Sequence, residues 1–141
     1  MSDSETDSPS IKALIVFREN GETDNLFVPI LCDAIRMAGI DVRCSTKEFW
    51  DSDKHYDIIH FQWPEEVVGW TCNDPDIIRR LEERISFFRS GGTRFVYTRH
   101  NVRPHYANGI ISRAYDIIES QSDIVVHMGR FSRDEFLTKY P

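Results

Sequence analysis

The sequence predicts an α/β domain, a doubly wound, mainly parallel Rossmann-like sheet with helices on both faces. Three observations carry that expectation. Short, almost wholly apolar runs such as IKALIVFR (11–18) and YDIIHFQW (56–63) read as strands buried on both sheet faces. Segments with apolar residues at helical spacing lie between them. The two kinds of segment alternate along the chain, and right-handed crossovers between parallel strands then wind helices over the sheet.

The elements follow in order. Residues 1–10 hold Asp3, Glu5 and Asp7 among serines, with Met1 the lone apolar side chain, and read as a disordered acidic leader. The folded domain is expected to span 11–141. Residues 11–18 form a buried strand, and 19–24 are turn-forming. Asp24 or Asn25 caps a helix carrying Phe27, Ile30, Leu31, Ala34, Ile35 and Ala38, ended by Gly39. A second strand covers 40–44, and 47–50 is a weak third. Residues 56–63 are a strongly buried strand closed by Pro64. Asp74 with Pro75 opens a helix whose stripe is Ile77, Ile78, Leu81, Ile85 and Phe88, stopped by Gly91-Gly92. A strand at 94–98, a helix at 109–120 and a strand at 123–127 follow. Ser132 then caps a last helix, with Glu135 three residues on completing a capping box.

Composition excludes several function classes. At 141 residues the chain has the size of one domain, and its 40% hydrophobic content is enough for a real core. No apolar run approaches the roughly 18–20 residues of a membrane span, and the acidic leader is unlike a signal peptide. A cytoplasmic location is therefore expected. Cys32, Cys44 and Cys72 are odd in number and lack CxxC spacing, so neither a disulfide framework nor a zinc site is implied and reduced thiols are expected. The net charge of −6 argues against nucleic acid as a partner. Charge is nevertheless uneven: 19–76 hold 13 acidic and 4 basic residues, whereas 78–113 hold 8 arginines against Glu82 and Glu83. Arginine's planar fork suits phosphate and carboxylate, although solvated helix faces and internal ion pairs account for most such charges.

Open parallel sheets bind ligands outside the carboxyl ends of their strands. The loops there are 19–24, 64–70, 99–107 and 129–132. They and the strand ends supply Asn20, Gly21, Gln62, Trp63, Glu65, Glu66, Arg99, His100, Asn101, Arg103, His105, Arg130 and Ser132, with Asn108 just beyond. The first loop has one glycine, so it is neither a GxGxxG dinucleotide loop nor a GxxxxGK[ST] phosphate loop. Arg99-His100-Asn101 is the most concentrated polar tripeptide at a strand end. Its imidazole is able to bond a sugar hydroxyl or phosphate oxygen, or to carry a proton near neutral pH. His105 lacks a carboxylate at recognised ligand spacing, and no metal site is expected. His60 and His127 read as core histidines. Trp63 has the flat face that stacks on a sugar ring, though it equally suits core packing.

With the strands in place, Asp57-Ile58-Ile59-His60, Thr98-Arg99-His100-Asn101 and Ser122-Asp123 leading to Ser132 resemble the amino-terminal half of GT-B-fold glycosyltransferases of the glycosyltransferase-4-like group. That resemblance covers 11–141. It implies transfer of a sugar from a nucleotide-sugar co-substrate, with no other cofactor, to an acceptor held mainly by this domain. It maps the phosphate-proximal first loop onto Asn20 and Gly21, and the cleft histidine, as the catalytic candidate, onto His100. One departure is the single glycine of that loop, where many members have two. The resemblance further implies a carboxy-terminal donor-binding domain or partner chain that is not among these 141 residues, so the isolated chain is expected to be nearly inactive. Peripheral membrane contact is implied if the acceptor is a lipid. The alternatives are a non-catalytic carbohydrate- or nucleotide-binding module, and a different Rossmann-like enzyme such as a nucleotide-sugar epimerase.

Overall fold

The strand Lys12–Val16 (β1) is the apolar centre of the sheet, with Leu14, Ile15 and Val16 wholly buried. The structure is a computed structural model, and it describes residues 10–19, 25–104 and 109–141. After β1 come α1 (Phe27–Met37), β2 (Asp41–Cys44), α2 (Thr46–Asp51), β3 (Ile58–Phe61) and α3 (Pro64–Val68). Then follow α4 (Asp76–Ser90), β4 (Arg94–Arg99), α5 (Gly109–Gln121), β5 (Ile124–His127) and α6 (Arg130–Lys139). All pairings are parallel and the strand order is β2-β1-β3-β4-β5, so the α/β, doubly wound architecture is as the sequence predicts. The order reverses between β1 and β3, which places the ligand crevice of such a sheet at their carboxyl ends.

The two faces are covered unequally. Leu14, Val16, Ile59, Phe61, Phe95 and Tyr97 pack one face against α2, α3, α4 and α5. Each fully buried aliphatic or aromatic side chain there contributes roughly 1.5–3 kcal/mol. The other face is smaller: Ala13, Ile15, Phe17 and Val42 pack against Val28 and Cys32 of α1. Side chains alternate along a strand, so Ile124, Val126 and Met128, on and just beyond β5, lie on the α1 side. They are 59%, 42% and 57% exposed, because α6 packs instead beside α5, where Lys139 meets Asp116 at 2.6 Å.

Two aspartates explain part of the strand-start pattern. Asp57 Oδ2 accepts the Lys12 N–H at 2.8 Å, and Asp123 Oδ2 accepts the Phe95 N–H at 2.8 Å. Each carboxylate thus satisfies a backbone donor at the start of the neighbouring strand, and the Lys12 N–H bond is the main cause of the lowered Asp57 pKa.

Four local expectations change. Residues 47–50 belong to helix α2, not to a strand: Ser45 Oγ accepts the Glu48 N–H at 2.9 Å, an N-cap read directly from Ser45-Thr46-Lys47-Glu48. Pro64 ends the strand by opening α3, where its missing N–H costs nothing. Ser132 lies inside the first turn of α6, because the helix begins at Arg130 after Gly129. Asn25 bonds the Phe27 N–H at 3.0 Å, but the residue at the cap position of α1 is Leu26. The glycine stops hold: Gly39 and Gly92 adopt φ of 83° and 91°, and Ile40 and Thr93 N–H reach back to Ile35 and Phe88 carbonyls in Schellman closures.

Candidate functional site

The carboxyl ends of β3 and β4 are stitched together by three side-chain bonds of one geometry. His60 Nε2 and Thr98 Oγ1 are hydrogen-bonded at 2.8 Å, His100 Nε2 donates to Gln62 Oε1 at 2.9 Å, and Trp63 Nε1 donates to Asn101 Oδ1 at 3.2 Å. Because Ile58 pairs with Arg94, each bond joins a β3-side residue to the position two beyond its register partner. The aromatic rings reinforce this. Trp63 and His100 stack with centroids 3.9 Å apart and planes 13° apart, Phe27 of α1 meets His100 edge-on at 4.8 Å, and Phe17 leans on Trp63 at 5.9 Å. Residues from β1, α1, β3 and β4 thus converge at the switch point.

Burial sets the protonation of this cluster. It pulls His100 down to about 4, and it pulls His60 to about 4 with a smaller push from His100. Both imidazoles are therefore neutral at pH 7. With Nε2 of His100 donating, its Nδ1 is an acceptor. Gln62 is wholly buried, and its Nε2 has no hydrogen-bond partner among the described residues. An amide donor left this way costs roughly 1–3 kcal/mol unless something accepts from it.

The remaining candidates separate. Glu65 is buried under the site, where both its oxygens accept from Tyr115 Oη at 2.9 Å. Arg99 is 1% exposed and turns to the helical face, bonding the Ser132 carbonyl at 2.9 Å and pairing with Glu119 and Glu135. Ser132 Oγ bonds His127 Nδ1 at 3.0 Å, away from the His100 cluster. Arg103 and Arg130 are exposed. Asn20, Gly21, His105 and Asn108 lie outside the described residues. The basic stretch is mostly spent internally: Arg84 donates to the Phe49 and Ser52 carbonyls at 2.7 Å each, Arg79 pairs with Asp76 and Glu83, and Arg89 with Asp123.

Comparison with protein-family models, curated proteins and solved structures finds no match to this chain. The structure adds residues that sequence reading passed over. Phe17 and Phe27 wall the ring stack, and Arg18, two residues beyond β1, pairs with Glu66, which also accepts from Trp70 Nε1 at 2.8 Å. Thr98 was visible only as part of a motif, yet alternation along β4 puts it on the same face as His100. Among the described residues, no group of three or more His, Cys, Asp and Glu is arranged to hold a metal, and no helix is long and apolar enough to cross a membrane.

Proposed function

We propose that this chain is the amino-terminal, acceptor-side half of a glycosyltransferase that moves a sugar from a nucleotide-sugar to an acceptor. The observation that supports it best is the Trp63–His100 stack, fastened by Gln62 and Asn101, at the β1/β3 switch point. An indole with a neutral imidazole beside it suits a polyhydroxylated ring: the flat faces pack on C–H groups, while amide and imidazole exchange hydrogen bonds with hydroxyls. Neutral His100 serves here as a hydrogen-bonding group held at fixed geometry, since a group titrating near 4 is a poor proton donor at pH 7. Gln62, wholly buried, holds the His100 ring in place through its Oε1. Arg103 and Arg130 are the candidate cations left exposed for an anionic acceptor or donor. Transfer needs a closed cleft, and so a donor-binding domain or partner chain completes the enzyme.

The test is a titration of labelled chain with nucleotide-sugars and sugar acceptors, followed at the Trp63 indole N–H and the His100 ring. Shifts at both residues are expected, with negligible turnover by the chain alone. Joined to a donor-binding domain, turnover should appear, and His100→Ala should lower it about 100-fold. Unchanged turnover in that variant would remove His100 from the chemistry. Saturable ligand binding that never acquires turnover would favour a non-catalytic carbohydrate- or nucleotide-binding module, a reading to which the neutral, internally bonded histidines also lend weight.

A further inference from the structure

Cys32 and Cys44, which no sequence spacing links, are brought together by the packing of α1 on β2. Cys32 is buried on the inner side of α1, and Cys44 closes β2 opposite Ile15. Both belong to one apolar cluster, and both line a pocket of about 210 Å³ shared with Phe17, Arg18, Val28 and Arg36. Cys44 Sγ also lies 3.8 Å from the Phe17 carbonyl oxygen and 3.9 Å from that of Arg18, the residues that lead β1 into the switch-point loop.

We propose that Cys32 and Cys44 form a dithiol modification site that closes to an intrachain disulfide on reaction with a peroxide. In the first step the Cys32 sulfur attacks one peroxide oxygen. The O–O bond breaks, Cys32 becomes a sulfenic acid, and the other oxygen leaves as water with the thiol proton. In the second, the Cys44 sulfur attacks the Cys32 sulfur, the S–O bond breaks, and a second water departs with the Cys44 proton. Two thiols supply two electrons, and one hydrogen peroxide is reduced to two waters. Cys32 is the attacking sulfur because Cys44 Sγ lies against the Phe17 and Arg18 carbonyl oxygens, which disfavour a thiolate there. Burial raises both thiols, Cys44 to about 12, so the site reacts slowly at pH 7 and about tenfold faster per pH unit above it. The bridge fastens α1 to the end of β2 and removes the Cys44 S–H that lies against the Phe17 and Arg18 carbonyls, whatever ligand the site takes.

The experiment treats the folded full chain with hydrogen peroxide and maps it by mass spectrometry without reduction. Expected is a linked pair of peptides containing Cys32 and Cys44, lighter by two hydrogens, with Cys72 still free and the link reversed by dithiothreitol. Cys72→Ser should link like the parent chain. In Cys44→Ser, dimedone should capture a sulfenic acid on Cys32. Oxidation of Cys72 with Cys32 and Cys44 still reduced, a link seen only in denaturant, or linkage between chains would overturn the proposal.

Discussion

Replacing Arg99 by methionine tests whether this residue works inside the fold. Its side chain and that of Glu119 are each 1% exposed, 3.5 Å apart, with Glu135 as second partner and Phe136 under the guanidinium at 5.4 Å. Burial alone lowers the Arg99 pKa, but the hydrogen bond it donates to Glu135 and the Glu119 charge lift it above its ordinary value. Arg99→Met leaves Glu119 buried with only Lys139, 3.4 Å away. Removing one partner of a buried pair costs about 3–5 kcal/mol; because Lys139 remains, about 3 kcal/mol is expected. With a urea slope of about 2 kcal/mol per molar, the midpoint should fall by about 1.5 M, as followed by circular dichroism. Arg99→Met with Glu119→Gln should recover more than 1 kcal/mol, since no charge is then stranded. The pH dependence has a definite sign. Burial already raises Glu119, and losing Arg99 raises it further. An acid whose folded pKa is raised holds its proton better when folded, so the variant loses stability as pH climbs above about 4.3, the unfolded value. Its deficit should be larger at pH 8 than at pH 5. A midpoint shift below about 0.3 M, or equal deficits at both pH values, would refute the argument.

Two further outcomes are expected. The His60 and His100 ring resonances should stay those of neutral imidazole on acidification until near pH 4, so each withholds a proton that the unfolded chain binds. Stability present above about 6.5 then drains away as pH falls toward 4, and a midpoint near 6.5 for either would contradict their burial. Asp123→Ala should cost about 1–3 kcal/mol by stranding the N–H of buried Phe95, measurable as a lower urea midpoint; an unchanged midpoint would mean that water serves the N–H equally well.

The strands that bear most of the architecture were legible because a central parallel strand leaves a continuous apolar run. α4 was legible because Asp74, Pro75 and Gly91-Gly92 mark both ends. α2 was missed because six residues carry too little periodicity, and its signal lay in the Ser45–Glu48 cap. Gln62, Trp63, His100 and Asn101 were each named from their strand-end positions, but their partnership depends on the β3–β4 register, which the sequence does not print. Arg99 and Glu65 show the opposite limit. Polar residues beside a strand end look alike in sequence, whether alternation sends them to the cleft or beneath the helices.

The central position of β1 bears on how the chain is made. Both of its neighbours in the sheet, β2 and β3, come later in the chain. At about 5–20 residues per second, Ala13–Val16 wait seconds on the ribosome for their hydrogen-bonding partners. An apolar segment without partners is the kind that a chaperone engages or that a neighbouring nascent chain captures. Lys12 and Arg18, bracketing this run, are the charges placed to discourage that capture.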